Sequence, residues 1–410
     1  MSETVVPTLD ALQAARELVA AVANVTPMEE SRYLTNVLGS PVLLKCENLQ
    51  RTGSYKIRGA YNRMARLTPE ERARGVVAAS AGNHAQGVAL AARELGISAT
   101  IFMPVGVALP KLQATRSYGA DVILRGHSVD EPLRAAAEFA ESTGSILIPP
   151  FDHLDIITGQ GTLGLEILDQ VPDVESIIVP IGGGGLIAGI ASAVKQRAAL
   201  EGRTIRVIGV QAENSAPYPR SIEAGEPVEI RIKPTIADGI AVSKPGALNF
   251  AIIRDLVDDI VTVSDDETAQ ALLVLLERAK LVVEPAGAVA VAAIVTGKVE
   301  NLGKTVAVLS GGNIDPQVME RVISLGLAAS DRYLKLRVKL PDRPGQLARI
   351  AELISDANAN VIEVSHARNG RGALLGEVEL ELSLETRGPE HVQRVLDHLR
   401  EADYDPRTEY

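Results

Sequence analysis

Short apolar runs rich in β-branched residues alternate with longer helical patterns over about the first 325 residues. The predicted strands are Val42–Lys45, Val76–Ser80, Thr100–Met103, Asp121–Leu124, Ile177–Ile181, Arg206–Gln211, Ile260–Val263 and Thr305–Leu309. The predicted helices between them include Ser54–Arg66, His84–Leu95, Pro110–Tyr118, Val129–Ser142 and Asp266–Ala279. Because apolar strands separated by helices form parallel sheets covered on both faces, this region is predicted to be a two-lobed α/β domain.

The pattern changes after about Ser330. A strand is followed by a turn and by a helix whose apolar residues recur at helical spacing. The predicted elements are the strand Tyr333–Leu340, the turn Asp342-Arg343-Pro344-Gly345, the helix from Leu347 to Ile354, the strands Asn360–His366 and Leu374–Leu384, and the helix Pro389–Ala402. This βαββα order, with room for a last short strand, predicts a separate ferredoxin-like module of about 80 residues.

Charge and composition argue against several kinds of partner. Lys and Arg total 41 against 52 Asp and Glu, which gives a net charge of −11 and disfavours nucleic acid or an anionic membrane as a partner. Cys46 is the one cysteine, so an intrachain disulfide and a thiolate metal cluster are excluded. The six histidines show no metal-binding spacing, and no metal site is predicted.

We expect a cytoplasmic protein, because the N-terminus lacks the features of an export signal. The uncharged stretch Ser176–Val194 could be mistaken for a membrane helix. Pro180, the run Gly182–Gly185 and Gly189 would break such a helix. The stretch is therefore predicted to be a buried strand, a loop and the start of a helix.

Lys56 lies near the start of a predicted helix, in the segment Thr52–Ala60. The positive end of the helix dipole and the nearby Arg58 would disfavour a protonated ammonium and keep the amine nucleophilic. A surface lysine on a polar helix is the alternative, and Lys56 alone does not decide between them.

The segment Ser80–Gly87 follows a predicted strand and opens a helix. Backbone N–H groups at such a turn can hold a carboxylate, and Asn83 offers both a donor and an acceptor to a flat ligand. An ordinary capped turn with a buried His84 accounts for the same residues.

Gly182–Gly185 followed by Leu186 also separates a predicted strand from a helix. Four glycines allow several N–H groups to converge on a phosphate with no Cβ in the way. A dinucleotide site is the rival interpretation, but it requires an acidic residue at the position of Gln211.

Two further turns carry glycines. Ser310-Gly311-Gly312-Asn313 ends a predicted strand, where open α/β sheets place ligand contacts, although a simple turn is equally compatible. Gly303-Lys304-Thr305 resembles the end of a P-loop, but Gly297 is one residue too far away and Lys304 leads into a strand. Binding of a nucleoside triphosphate is therefore discarded.

In their order along the chain, these motifs resemble the fold-type II pyridoxal-phosphate enzymes (tryptophan synthase β-like), and within them the threonine dehydratase (threonine ammonia-lyase) and serine racemase branch. The matching segments are Thr52–Ala60, Ser80–Gly87, Gly159-Gln160-Gly161-Thr162, Gly182–Leu186, Thr235–Val242, Glu284–Ala288 and Ser310–Asn313. Asp342-Arg343-Pro344-Gly345-Gln346-Leu347 resembles an ACT domain. The resemblance implies a catalytic domain over residues 1–328, whose smaller lobe (roughly 55–150) is inserted in the larger, and an ACT domain over 329–410.

The resemblance also implies roles for single residues. Lys56 would bind pyridoxal phosphate covalently, Asn83 would bond the ring hydroxyl, and Ser310 would face the pyridine nitrogen. The phosphate would be held by Gly182, Gly183, Gly184, Gly185 and Leu186, and the substrate carboxylate by Ser80, Ala81, Gly82 and Asn83. A neutral serine at the pyridine nitrogen makes a weaker electron sink, which favours prompt elimination.

The implied reaction is β-elimination of L-threonine to 2-oxobutanoate and ammonia, with L-serine giving pyruvate. A dehydratase of serine or 3-hydroxyaspartate, a serine racemase and a non-catalytic amino-acid sensor are the alternatives. Ala81 stands where the racemase carries its second acid–base serine, which disfavours racemisation. Gln211 stands where relatives often carry a glutamate of a cation site, so a divalent metal is doubtful and a monovalent ion held by carbonyls stays open.

The ACT resemblance implies an effector site at Asp342, Gly345, Gln346 and Leu347. Gly345 would let a ligand approach the backbone, and the following helix N-terminus could receive a carboxylate. We expect a branched amino acid, isoleucine or valine, bound between subunits of a homodimer or homotetramer. A purely structural module that makes subunit contacts is the alternative, and a role in isoleucine biosynthesis and a degradative role are both compatible with the sequence.

Overall fold

The computed structural model describes residues 4–127, 130–367 and 376–408. The chain divides into two compact units, Met1–Met319 and Glu320–Tyr410. Their boundary falls within one helix, Pro316–Ala329, at whose end the sequence analysis placed the domain boundary.

The first unit contains two sheets. Its strands are β1 (Met28–Glu30), β2 (Val42–Cys46), β3 (Val76–Ala79), β4 (Ala99–Met103), β5 (Asp121–Leu124), β6 (Ile146–Leu147), β7 (Ser176–Pro180), β8 (Arg206–Ala212), β9 (Asp259–Val263) and β10 (Thr305–Leu309). The larger sheet has the order β1-β2-β10-β7-β8-β9 and is parallel except for β1. The smaller sheet has the order β5-β4-β3-β6 and is parallel throughout. The α/β prediction is thus confirmed.

Helices cover the sheets of the first unit. They are α1 (Leu9–Val19), α2 (Arg32–Leu38), α3 (Lys56–Ala65), α4 (Pro69–Arg74), α5 (Asn83–Leu95), α6 (Leu109–Ser117), α7 (Asp130–Thr143), α8 (Leu154–Gln170), α9 (Gly185–Leu200), α10 (Pro217–Ala224), α11 (Ala247–Leu256), α12 (Asp265–Val274) and α13 (Pro285–Val295). The next helix, α14 (Pro316–Ala329), contains the boundary between the two units. The helix predicted over Asp266–Ala279 is α12 continued by a π-helical turn, Leu275–Ala279. The first residue of another predicted helix, Val129, lies outside the described residues.

The core of the larger lobe lies around its central strands. Every residue of β7 and β10 is buried, and α8 and α9 pack their apolar side chains against this part of the sheet. The stretch Ser176–Val194 is β7, a glycine loop and the start of α9, as predicted. Within the described ranges, no helix combines the length and apolar character needed to cross a bilayer.

The second unit is built on one antiparallel sheet with the order β12-β13-β11-β14. Its elements are β11 (Tyr333–Pro341), α15 (Gln346–Asp356), β12 (Asn360–Ala367), β13 (Glu377–Glu385), α16 (Pro389–Glu401) and β14 (Pro406–Thr408). Leu334, Leu336, Val338 and Leu340 alternate along β11 and are buried in the core of this unit. The predicted ferredoxin-like order, including the last short strand, is confirmed; Leu374 of a predicted strand lies outside the described residues.

Candidate active site

Three loops of the first unit lie at one edge of the larger sheet. Because β2, β10 and β7 are parallel neighbours, the chain leaves all three strands at the same edge, where open α/β sheets bind ligands. A β-bridge joins Ser54, in the loop that follows β2, to Gly311, in the loop that follows β10. The N–H of Tyr55 also donates to the carbonyl of the buried Ser310, 3.2 Å away. These contacts place the residue before Lys56 directly against the end of β10.

Lys56 is the first residue of α3. Its Nζ donates to the carbonyl oxygen of Pro150 at 2.9 Å and lies 5.2 Å from the centre of the Tyr55 ring. Although Lys56 is partly exposed to solvent, burial lowers its pKa to about 8, and the negative charge of Glu284 opposes this change. The amine therefore has a neutral, nucleophilic fraction near neutral pH.

Arg58 does not affect Lys56 in the way that the sequence analysis predicted. Its guanidinium is buried and donates to both carboxylate oxygens of Glu47 at 2.8 Å. A second carboxylate, that of Glu166, lies 3.0 Å from its Nη1. With two carboxylates around it, Arg58 is not among the causes of the lowered pKa of Lys56. The expectation that Arg58 would keep Lys56 neutral is wrong, and burial of the amine has that effect instead.

The glycine loop after β7 has no room for side chains. A Cβ atom added to Gly183 would collide with the ring of Phe151, and one added to Gly184 would collide with the Tyr218 hydroxyl. Gly184 also has a φ of +98°, which favours glycine. The carbonyl of Gly183 is held by Tyr218 Oη at 3.1 Å and by Asn249 Nδ2 at 2.9 Å, so the backbone of this loop is fixed.

The same loop starts helix α9, whose N-cap is Gly184. The first N–H groups of a helix, here those of Gly185 and Leu186, have no partner within the helix and attract an anion. Phe151, which packs against the loop, follows Pro150, the residue that accepts the Lys56 hydrogen bond. An amine of lowered pKa beside a fixed, Cβ-free helix start fits a phosphate-bearing aldehyde such as pyridoxal phosphate.

Asn83 begins α5, at the end of the turn that follows β3 in the smaller sheet. Its Oδ1 accepts a hydrogen bond from Asn313 Nδ2 at 2.8 Å, and its Nδ2 donates to Glu284 Oε1 at 2.5 Å. Asn313 Nδ2 also donates to the carbonyl of Thr52 at 2.7 Å. The two sheets thus contribute adjacent members of one hydrogen-bond chain.

Glu284 is buried at the N-terminus of α13. Burial raises its pKa to about 7, with Asp238 adding to the effect and Lys111, Asn83 and Lys56 opposing it. A Cβ at Gly311 would collide with Glu284 Oε1, so the glycine after Ser310 makes room for this carboxylate.

The turn Ser80–Gly82, the expected substrate carboxylate site, lies partly exposed before α5. Ser80 Oγ accepts from the N–H of Gly82 at 3.1 Å, which leaves the hydroxyl hydrogen free to donate. Lys111 Nζ lies 3.9 Å from the position that a Gly82 Cβ would occupy and 3.5 Å from Asp238 Oδ2. A cation therefore stands close to the turn, which suits an anionic ligand.

His84 is buried behind this turn, as one of the two interpretations held. Its Nε2 lies 2.9 Å from the carbonyl of Ile148. Burial, together with the charge of Lys56, lowers its pKa to about 3. The ring is therefore neutral and donates from Nε2, because a carbonyl can only accept.

 Gln211, which the sequence analysis compared with a cation-binding glutamate of related enzymes, lies in β8 of the larger sheet and is buried. Gln211 Oε1 accepts from the backbone N–H of Tyr218 at 3.0 Å, while its Nε2 is buried without a hydrogen-bond partner. An amide nitrogen in this position is a donor and does not bind a cation. Among the described residues there is no group of three or more His, Cys, Asp or Glu side chains that could hold a metal ion.

Several residues of the site have no role in the sequence analysis. Glu284 and Asn313 lie in segments that the analysis singled out, and their position in a motif was the available signal. Lys111 and Phe151 come from other parts of the chain and carry no local signal, because only folding brings them to the turn and to the glycine loop.

The four expected effector residues lie together at the turn between β11 and α15. Gly345 has a φ of +91° and open space around the position of a Cβ. Gln346 Oε1 accepts from Tyr404 Oη at 3.1 Å, which ties the start of α15 to the C-terminal segment. Asp342 donates its N–H to the carbonyl of Gly376 at 2.8 Å, and the side chain of Leu347 is exposed.

Comparison with known proteins agrees with this geometry. Residues 19–311 match the family model described as pyridoxal-phosphate dependent enzyme, and residues 335–403 match the ACT domain. The chain is 48% identical to an L-threonine ammonia-lyase of Geobacter sulfurreducens, covering 92% of this chain and 94% of the relative. It is 46% identical to the L-threonine ammonia-lyase of Thermotoga maritima, covering 95% and 96% of the two chains. Among solved structures, the processed form of threonine deaminase isoform 2 from Solanum lycopersicum superposes with a TM-score of 0.73 at 38% identity, covering 79% of this chain and 97% of that one.

Proposed function

The chain belongs to the family of pyridoxal-phosphate dependent enzymes, and we propose that it deaminates L-threonine to 2-oxobutanoate and ammonia by β-elimination, with L-serine as a second substrate that yields pyruvate. The observation that carries the proposal is the position of the Lys56 amine, which donates to the carbonyl of Pro150 at 2.9 Å, while the next residue, Phe151, packs against the Cβ-free glycine loop at the start of α9. Burial lowers the pKa of this amine to about 8. Relatives that match nearly the whole chain are named for the same reaction.

We propose that Lys56 binds the cofactor covalently, that Gly182–Gly185 with Leu186 hold its phosphate, and that Asn83 and Ser310 contact its ring. When bound, pyridoxal phosphate supplies an electron sink for the pair released at Cα of the amino acid. Lys56 Nζ accepts the Cα proton, which requires the neutral amine. At pH 7.5 roughly a quarter of amines with a pKa of about 8 are neutral, against about one in a thousand for an ordinary lysine.

The substrate carboxylate is proposed to bind at Ser80, Ala81, Gly82 and Asn83. The hydroxyl of Ser80 donates its free hydrogen there, and the start of α5 adds N–H groups that favour an anion. The ammonium of Lys111 lies beside the same turn and adds a favourable charge. Ala81 has no hydroxyl with which to deliver a proton to the opposite face of Cα, so the side chains favour elimination over racemisation.

The first test is release of 2-oxo acid from purified protein supplied with pyridoxal phosphate and either L-threonine or L-serine, with D-serine measured in parallel. The proposal predicts 2-oxobutanoate from threonine at a higher kcat/KM than pyruvate from serine, and little D-serine. Cofactor binding without oxo acid from either substrate would favour 3-hydroxyaspartate or another β-hydroxy amino acid. A protein that binds no cofactor would instead support the amino-acid sensor.

For the C-terminal part we propose an ACT regulatory domain over residues 329–410, following a catalytic domain over residues 1–328. The exposed turn at Asp342, Gly345, Gln346 and Leu347 supports an effector site for isoleucine or valine, because the Gly345 backbone is open to a ligand. We propose that the site is shared between subunits of a homodimer or homotetramer, and that regulation follows from a preference of the ligand for one quaternary arrangement.

Calorimetric titration with isoleucine and valine, together with analytical ultracentrifugation, tests this proposal. We expect saturable binding and an oligomer whose threonine kinetics change with the effector. A monomer without effector binding would leave the module with a structural role.

A cytoplasmic location is likewise a proposal, supported by a single buried thiol, Cys46, in a chain of this length.

A further inference from the structure

The carboxamide of Asn83 can lie in either of two orientations that have almost the same shape. One orientation presents a hydrogen-bond donor where the other presents an acceptor. The choice matters at this position, since Asn83 begins α5 beside the candidate cofactor site. The neighbouring hydrogen bonds decide between the two.

The first constraint comes from the backbone of Thr52. A carbonyl oxygen can only accept, so the atom of Asn313 that lies 2.7 Å from the Thr52 oxygen is its Nδ2. The same Nδ2 has a second hydrogen, which it donates to Asn83 at 2.8 Å. The atom of Asn83 that faces Asn313 is therefore its Oδ1.

The second constraint lies on the opposite side of the amide. Asn83 Nδ2 donates one hydrogen to Glu284 Oε1 at 2.5 Å. Gly311 leaves space for this carboxylate, because a Cβ there would collide with Glu284 Oε1 and would lie 3.1 Å from Asn83 Nδ2. One hydrogen of Asn83 Nδ2 remains after these contacts.

We propose that Asn313 is a positioning residue, which makes Asn83 a hydrogen-bond donor toward the negatively charged ring oxygen of the cofactor. The inference rests on the cofactor contact of Asn83 proposed above and assigns a role to a different residue. Asn313 acts through Asn83, and the backbone carbonyl of Thr52 sets the direction of the whole chain of hydrogen bonds. Reversal of the Asn83 amide would place its oxygen against the anionic ring oxygen and weaken binding.

The decisive variant is Asn313→Asp, which keeps the size of the side chain and removes both donated hydrogen bonds. Its carboxylate favours the reversed Asn83 amide. We expect the dissociation constant of pyridoxal phosphate, titrated into the cofactor-free protein, to rise about tenfold or more. The absorption maximum of the bound cofactor should also shift. Asn313→Ala removes the hydrogen bond that orients the Asn83 amide but does not favour the reversed orientation. It should therefore raise the dissociation constant of the cofactor less, by about threefold.

A merely structural role for Asn313 gives a different result in a double-mutant cycle. In an Asn83→Ala background, Asn313→Asp should change the cofactor dissociation constant by less than about twofold, because the residue through which it acts is gone. A persistent tenfold effect in that background would overturn the proposal. So would equal losses in the Asp and Ala variants. If the Asp variant does not fold, a threefold loss for Asn313→Ala that persists in the Asn83→Ala background would overturn the proposal, and disappearance of that loss would support it.

These measurements need no substrate, which separates this inference from the proposed reaction. Wild-type protein that binds the cofactor but releases no oxo acid would contradict the reaction alone. An Asn313→Asp variant with unchanged cofactor affinity and spectrum would contradict the positioning role alone.

Discussion

Lys45 and Lys56 lie in the same unit, and burial lowers the pKa of both amines. Lys45, within β2, is fully buried and donates to Glu166 Oε1 at 2.5 Å, to Gln170 Oε1 at 2.6 Å and to the carbonyl of Thr26 at 2.8 Å. Lys56 Nζ instead donates to the uncharged carbonyl of Pro150, and its carboxylate neighbour, Glu284, acts through its charge.

The difference shows what turns a buried lysine into a nucleophile. A carboxylate in direct contact stabilises the ammonium of Lys45 and offsets part of its loss of water. Lys56 loses water without such a contact, so its neutral form becomes accessible. The two regions are connected, because Arg58, which follows Lys56 in α3, pairs with Glu166, the partner of Lys45.

The largest expected effect on activity comes from removing the amine of Lys56. Lys56→Ala should lower kcat/KM for threonine by at least about 10³-fold, since it removes both the nucleophile and the base. It should not lower thermal stability. The pKa of Lys56 is lower in the folded protein than in the unfolded chain, so the folded state disfavours the protonated lysine and loses nothing when it is removed. Lys304→Ala, which removes an amine paired with an exposed aspartate, is the control and should keep its activity.

Lys45→Met should act on stability instead. It leaves the buried Glu166 without one of its two cations, and we expect a loss of about 3–5 kcal/mol in the free energy of unfolding. Urea unfolding measures the loss, and a Lys45→Met/Glu166→Leu double variant should recover part of it if Arg58 keeps Glu47. A loss below about 1 kcal/mol would show that the ion pair contributes little.

The pH dependence of cofactor binding sharpens the contrast. The association rate of pyridoxal phosphate with the cofactor-free protein should rise about tenfold per pH unit below pH 8 and level off above it, since the neutral amine of Lys56 reacts. Stopped-flow absorbance between pH 6 and 9.5 measures this rate. A midpoint near that of an ordinary lysine would show that burial does not activate Lys56.

The smallest effect concerns the carboxylate near Lys56. The negative charge of Glu284 raises the pKa of Lys56, so Glu284→Gln should move the midpoint of the association rate downward, by about half a unit to one unit. Glu267→Gln, which changes an acid of α12 paired with Lys298, is the matched control and should leave the midpoint in place. An upward shift for Glu284→Gln would contradict the assigned sign.

Much of the fold could be predicted from local patterns. The eight predicted strands of the first unit are present. Those in the core, such as β7 and β10, are continuous apolar runs because parallel strands are covered on both faces. β1 and β6 were missed, since each is an edge strand of three or two residues, too short for a periodic pattern. In the site, the sequence analysis singled out Lys56 and Asn83 from their positions at helix starts. It did not predict that Arg58 is neutralised by Glu47 and Glu166, because these partners are distant in sequence.

The sequence by itself determined the alternation of strands and helices, the glycines that keep side chains away from the start of α9, and the presence of one lysine and one asparagine at helix starts. The tertiary structure decided the pKa of Lys56, the donor orientation of Asn83 and the neutral charge of His84. These properties depend on loss of water and on contacts made by segments far apart in the chain, such as those of Asn313 and Glu284 with Asn83. The local periodicity of a sequence does not predict contacts between such distant segments, so only the folded chain determines them.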